Sequence, residues 1–286
     1  MTISIQGVKG AFHEEAAINY YGGEIEILPN ISFYEVIESI RDNHAKAGIM
    51  AVENTISGTI HSNLNLIRES GLAICGEVYL QIEQNLVGLP GTSIDNLVEV
   101  HSHYMAIDQC RNFFRKHPHI KLIESDDTAL SMKEIAEKQL TNVGAIGSRI
   151  GARHYGLNII AESIETNKKN YTRFLIVEKE NKIRTHEMNK SSISMTLPNH
   201  KGSLSQVLSV IAFYDVDLSK IESVPVVGEP WHYRFYIDVL FDNFEKYKSM
   251  LQAIGPLTDE LQILGEYASG SISFAQIHSR SNPTSS

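Results

Sequence analysis

Asn170-Tyr171-Thr172-Arg173-Phe174 runs directly into the apolar stretch Leu175-Ile176-Val177. A hydroxyl, a permanent cation and an aromatic ring thus stand side by side at the mouth of an expected strand. Three further segments carry polar residues where an apolar run passes into a helical pattern. They are Gly7-Val8-Lys9-Gly10-Ala11-Phe12-His13, Glu53-Asn54-Thr55-Ile56-Ser57-Gly58 and His101-Ser102-His103-Tyr104-Met105-Ala106-Ile107-Asp108-Gln109-Cys110. In an open α/β sheet such junctions present backbone N–H groups and a helix dipole at the carboxyl edge, where ligands bind. These residue types suit a small anionic substrate. Each junction also has a plainer reading. Gly7 and Gly10 make a tight turn, Ser102 caps a helix, and Thr128 in Asp127-Thr128-Ala129 does the same. A cap accounts for one polar residue at the second junction, but hardly for Glu53, Asn54, Thr55 and Ser57 together. His101 and His103 lack the further ligands that a metal site needs. No Walker loop, dinucleotide fingerprint or nucleophile elbow occurs.

The elements that must position these residues follow from periodicity. Residues 3–7, 48–52 and 97–101 read as strands, and 12–17, 60–67, 129–140 and 146–154 as helices. The alternation predicts a mostly parallel sheet with helices on both faces. The polar stretch 178–192 has no core pattern and reads as a linker. Beyond it, 192–197, 218–224, 233–240 and 261–268 read as strands, with helices at 204–211 and 244–254. This β-α-β-β-α-β order is that of a ferredoxin-like sandwich.

The 286 residues have room for about two or three domains. Apolar content of 42% and charged content of 21% are those of a globular protein. The net charge of −9 argues against a general nucleic-acid binder, and means that an anion needs a local cationic pocket. Cys75 and Cys110 form no disulfide framework and fit a reducing compartment. Met1-Thr2-Ile3-Ser4-Ile5-Gln6 lacks the charged and long apolar regions of a secretion signal. No apolar run approaches the roughly 20 residues of a membrane span. A cytoplasmic location is expected, with no membrane or nucleic-acid partner.

The segment 170–174 resembles the Asn-x-Thr-Arg-Phe signature of the prephenate dehydratases, and the other segments fall in that family's order. Residues 7–12 are similar to its Gly-x-x-Gly-(Ser/Thr)-Phe opening, with Ala11 in place of the hydroxyl residue. Glu53-Asn54-Thr55-Ile56-Ser57-Gly58 is similar to its Glu-Asn-Ser-x-x-Gly motif, with Thr55 for Ser. Ser102, His103, Ala106, Gln109 and Cys110 agree with its Ser-His-Pro-Gln-Ala-Leu-x-Gln-Cys motif, while Tyr104 and Met105 depart. Asp127-Thr128-Ala129 is similar to its Ser-Thr-Ala helix start. Gln84 stands where the family tends to have His.

The resemblance implies that prephenate is dehydrated and decarboxylated to phenylpyruvate in phenylalanine biosynthesis, with no cofactor and no metal. It implies Thr172 as hydrogen-bond donor to the leaving hydroxyl, relayed through Ser102, Asn54 or water, and Arg173 as the fork that clamps a carboxylate. Asn170 and Glu53 join the implied catalytic set. Thr55, Gly10, Thr128 and Phe174 are implied at the substrate, Phe174 packing beneath the site. The implied fold is α/β: a two-lobed region like type II periplasmic binding proteins over 1–180, followed by a ferredoxin-like ACT domain over 192–270. Lobe 1 would hold about 1–77 and 163–180, and lobe 2 about 78–162, with a linker at 181–191 and a tail at 271–286.

Asn199-His200-Lys201-Gly202-Ser203-Leu204 resembles the ACT loop with which the family binds phenylalanine. Glu222 and Ser223 fall in its Glu-Ser-Arg-Pro partner motif. The implied effector residues are therefore Asn199, Gly202, Ser203, Leu204, Glu222 and Ser223. Val224 stands where the family has arginine, so phenylalanine inhibition is either lost or altered in affinity or specificity. The plainer role of this module is dimerisation alone. A monofunctional homodimer or homotetramer is expected. Two rivals are an arogenate dehydratase and a non-catalytic amino-acid sensor on the same scaffold.

Overall fold

The computed structural model describes residues 1–180 and 187–270. Most of the expected linker, 181–186, and the whole expected tail lie outside the described residues. The chain opens with β1 (Thr2–Gln6), α1 (Phe12–Tyr21), β2 (Glu26–Asn30), α2 (Phe33–Arg41), β3 (Ala47–Asn54), β4 (Gly58–Thr59) and α3 (His61–Ser70). Then come β5 (Ala73–Gln81), β6 (Asn85–Gly88), β7 (Glu99–Ser102), α4 (Tyr104–Gln109), α5 (Arg111–Phe114) and β8 (Lys121–Glu124). They are followed by α6 (Thr128–Lys138), β9 (Val143–Gly147), α7 (Arg149–His154), β10 (Asn158–Ala161) and β11 (Tyr171–Glu178). The last elements are β12 (Lys190–Thr196), α8 (Ser203–Phe213), β13 (Asp217–Pro225), β14 (Tyr233–Leu240), α9 (Phe244–Ile254) and β15 (Glu260–Tyr267).

Two compact units result. The first comprises residues 1–59 and 79–174, the second 60–78 and the chain from 175 onward. Two sheets include the strands of the first unit; β5 and β11 in one of them are divided in sequence between the two units. One has the order β2-β1-β3-β11-β5, with β4 beside β3, and β1 runs parallel to β2 and β3. The other has the order β10-β6-β9-β7-β8. Here β7 is parallel to β8 and β9, whereas β6 runs antiparallel to β9 and β10. The expected parallel sheet is thus mixed. Both faces of this sheet are buried. Leu86 and Ile146 pack with Ala106, Ile107 and Phe114 of α4 and α5, while their neighbours Val87 and Ala145 pack with Ala129, Met132 and Ile135 of α6. That alternation is the period of a strand covered by helices on both sides.

The helix expected over 146–154 is a strand end and a shorter helix. Ile146 and Gly147 close β9, and Ser148 caps α7, its Oγ accepting from Gly151 N at 2.9 Å.

In the second unit β13-β14-β12-β15 form one antiparallel sheet, so the β-α-β-β-α-β order closes as a ferredoxin-like layer. Ile193, Val207, Ile211, Ile237, Tyr247 and Met250 fill its core. α3 belongs to this unit: Gln262 Nε2 donates to Arg68 O at 3.2 Å, and Tyr236 bonds Asn65. Lys190 Nζ reaches both carboxylate oxygens of Glu77 on β5 at 2.9 Å, with both side chains buried. β13 is an edge strand, and its exposed residues alternate with half-buried ones.

Candidate active site

Thr55 joins the end of β3 to the start of β11. Its N–H donates to Tyr171 O, and its hydroxyl accepts from Tyr171 N and donates to Lys169 O, each at 2.9 Å. Asn54 is fixed next to it. Its Oδ1 accepts the backbone N–H groups of Ile56 and Ser57, both at 2.9 Å. This side-chain turn settles which end of the amide is oxygen. Nδ2 must therefore face the other way, where it meets Asn170 Oδ1 at 2.8 Å and Thr172 Oγ1 at 2.9 Å.

The chain of amides continues inward. Fully buried Asn170 donates from Nδ2 to Gln109 Oε1 at 3.0 Å. Gln84 Nε2 lies 3.3 Å from the same oxygen. Glu53, Asn54, Asn170 and Thr172 were legible as candidates, but the part of Gln84 and Gln109 in this network was not. Gln109 matched a motif, and Gln84 was visible only as a departure from one.

Adjacent strand residues face opposite sides. Asn54 and Thr172 share one face, and Glu53 and Arg173 share the other. Arg173 Nη1 is 3.9 Å from Glu53 Oε2, and its guanidinium lies 5.9 Å from the centre of the Tyr79 ring. Only 4% of Arg173 is exposed. Arg173 thus lies on the face opposite Thr172, with Glu53 as an ion-pair neighbour.

The remaining candidates lie apart from this network. Ser102 is fully buried at the end of β7 and donates to Ile146 O at 3.0 Å; the cap of α4 is His103, whose Nδ1 accepts from Met105 N at 3.4 Å. Thr128 is the first residue of α6, and the cap is Asp127, whose Oδ1 accepts from Leu130 N at 2.9 Å. Gly10 gives its N–H to Glu14, and its carbonyl accepts from Ser148 Oγ at 2.6 Å. A Cβ there would come within 2.7 Å of Gly151 Cα, so Gly10 serves a close packing contact with α7. Phe174 is buried, its ring meeting that of His13 edge-on with centroids 5.1 Å apart, and His13 in turn tilts against Phe33. Burial pushes the His13 imidazole down to about 4. His101 Nε2 is 3.1 Å from Glu99. Among the described residues no cluster of three His, Cys, Asp or Glu side chains could hold a metal.

A cavity of about 400 Å³ adjoins Gln109, with Ile56, Ser57, Tyr104, Met105 and Arg111 in its wall. Cys110 next door is no thiolate: burial, then the Glu165 carboxylate, push its thiol far up.

In the second unit Gly202 has a left-handed backbone, φ 87°, and opens α8. Ser203 Oγ donates to Pro198 O at 2.7 Å and lies 2.9 Å from His200 Nδ1. His200, Gly202, Ser203, Leu204 and Leu208 line a cavity of about 670 Å³, and Asn199 precedes them in the loop. Glu222 lies 3.3 Å from His61, and Ser223 is on the exposed side of β13.

A family model for prephenate dehydratase matches residues 3–182, which span the whole Thr172 network. The chain belongs to the prephenate dehydratase family. A prephenate dehydratase of Methanocaldococcus jannaschii is 35% identical over 266 residues, covering 91% of this chain and 95% of that relative. Among solved structures, GqqA, described as a novel type of quorum quenching acylase, is 25% identical with a TM-score of 0.85, covering 95% of this chain and 99% of its own. The prephenate dehydratase of Arthrobacter aurescens, solved in complex with L-Phe, is 27% identical with a TM-score of 0.82, covering 94% and 90%.

Proposed function

We propose that this protein is a prephenate dehydratase, a hydro-lyase that converts prephenate to phenylpyruvate, water and carbon dioxide in L-phenylalanine synthesis. The family match supports this. The observation that carries the mechanism is the Asn54–Thr172 bond. Because Thr172 Oγ accepts from Asn54, its own proton remains to be donated. In the reaction the bond from the ring to its carboxylate breaks and its electron pair enters the ring. The ring hydroxyl leaves with its own bonding pair at the opposite carbon. Aromatisation drives both events. The departing oxygen gathers negative charge, and a preorganised donor aimed at it contributes ~10²–10³ in rate. Threonine is too weak an acid to give up its proton outright, so we assign it the hydrogen bond and take the final proton from solvent.

Asn54 and Asn170 hold Thr172 in place. Glu53 and Arg173, on the far face, fix β3 against β11, and Thr55 ties the two strand ends. Phe174 packs beneath the site. Gly10, Ser102 and Thr128 are assigned supporting roles in the fold. We place the substrate in the cavity beside Gln109, whose wall also carries Arg111, ion-paired to Asp108 at 2.7 Å.

We further infer that residues 192–270 form an ACT domain that responds to L-phenylalanine at the 199–204 loop, together with Glu222 and Ser223. Its β-α-β-β-α-β order, the cavity beside Ser203 and the L-Phe complex of the Arthrobacter relative support this. A homodimer or homotetramer accords with the open edge of β13 and with Phe213, Ile221 and Trp231 exposed. A cytoplasmic location accords with the buried thiols Cys75 and Cys110. No described helix is long and apolar enough to cross a membrane.

The test offers purified protein prephenate and arogenate separately and follows phenylpyruvate and phenylalanine. Rapid phenylpyruvate formation is expected. Turnover of arogenate alone would reassign the substrate, and turnover of neither would leave the sensor.

A further inference from the structure

Gln84 ends the amide chain with an acceptor it does not use. The direction of the chain is imposed from its other end. The N–H groups of Ile56 and Ser57 orient Asn54, Asn54 orients Asn170, and Asn170 turns Gln109 Oε1 inward. Gln84 must then present its NH₂ to that oxygen, and Nε2 lies 3.3 Å away. Its own Oε1 is left buried with no partner. Flipping the amide would set two carbonyl oxygens against each other. Its main chain is held as well: the N–H donates to Glu165 Oε2 at 2.9 Å and the carbonyl accepts from Ile164 N at 2.7 Å. Burying an unmade acceptor costs free energy, and a site that tolerates it calls for a reason.

We infer that Gln84 is a positioning residue for the dehydration. Its NH₂ holds Gln109 Oε1 toward Asn170. This pins, from the inner end, the direction that Ile56 and Ser57 impose from the outer end, and keeps the threonine proton for the substrate. The inference rests on the dehydratase reading. The charged and titratable groups around Gln84 are the Glu165 carboxylate, Lys168 at 3.2 Å from that carboxylate, and the protonated Cys110 thiol; Glu83, its chain neighbour, is exposed.

The test compares wild type with Gln84→Glu and Gln84→Met. The carboxyl introduced by Gln84→Glu donates to Gln109 when protonated and repels it when ionised. Burial and the nearby Glu165 carboxylate raise its titration into an accessible range. Its kcat should fall about 10- to 100-fold at alkaline pH, the scale of a small misplacement, and recover on acidification with KM little changed. Gln84→Met removes the donor without adding a titration. It should lower kcat at every pH while keeping the wild-type profile. A Gln84→Glu variant with the wild-type profile, or with a loss that acid does not reverse, would overturn the inference. If Gln84→Glu fails to fold, wild-type kcat in Gln84→Met overturns it instead. The same titration should move the side-chain amide NMR signals of Asn54 and Asn170 in Gln84→Glu. That readout needs no turnover, so an inactive wild type would defeat the dehydratase reading while the shift still decides this one.

Discussion

Asn54 holds Thr172 by its lone pair: Nδ2 lies 2.9 Å from Thr172 Oγ1, while Asn54's own carbonyl is filled by two backbone N–H groups. The arrangement has one direction. It leaves Thr172 a donor, and a donor is what a departing hydroxyl needs.

Reversing that direction should disable the site without unfolding it. In Asn54→Asp the carboxylate still caps Ile56 and Ser57, but it can only accept toward Thr172. Thr172 then spends its proton on the aspartate. The expected result is a kcat lower by ~10²–10³ with a thermal midpoint near wild type. Activity assays beside thermal denaturation check it.

Gly10 combines a left-handed backbone, φ 89°, with the 2.7 Å approach to Gly151 Cα that a Cβ would make. The obstacle is backbone, which cannot swing aside. Gly10→Ala should cost about 2–3 kcal/mol of stability. Denaturant unfolding measures this, and a loss under half a kilocalorie would remove the packing explanation.

Glu77 and Lys190 form a buried pair, 1% and 5% exposed at their side chains. Lys190→Met takes the ammonium away from the buried carboxylate and should destabilise by about 3–5 kcal/mol. Adding Glu77→Leu removes the buried negative charge and should restore much of the loss. A double variant as weak as the single one would contradict this.

His13 gives stability a pH dependence of definite sign. Its ring nitrogen Nε2 is buried without a partner, and burial pushes its pKa from 6.5 down to about 4. Between those values the unfolded chain binds a proton that the native state refuses, so stability rises with pH and is complete above the unfolded value. Lowering the pH from 6.5 to about 4 should remove up to about 3 kcal/mol. His13→Leu should flatten that part of the curve, as seen in denaturant midpoints across pH.

Much of this was legible in the sequence, for physical reasons. Strand 233–240 and helix 244–254 were read with the bounds they have, because both periods are clean there. Asn54 stood out because Glu53, Asn54, Thr55 and Ser57 together exceed what a helix cap needs, and Thr172 because its segment resembles a family signature. Other features depend on three dimensions. Ile146 and Gly147 looked helical because the apolar run of β9 flows into α7 with only Ser148 between. The caps at Asp127 and His103 each lie one residue from Thr128 and Ser102, a shift that propensity does not resolve. That Arg173 turns away from Thr172 follows from strand alternation, once Glu53 and Asn54 are seen as its neighbours. Gln84 and Gln109 meet Asn170 from segments far apart in the chain, and no local pattern encodes that meeting.

The central claim is that the Thr172 hydroxyl donates to the leaving oxygen. Its most direct test is the steady-state turnover of prephenate by wild type, Thr172→Ser and Thr172→Ala, each shown to be folded. Thr172→Ser keeps the hydroxyl and should retain most of the activity, whereas Thr172→Ala should lose ~10²–10³ in kcat. Near-wild-type turnover by Thr172→Ala would contradict the account.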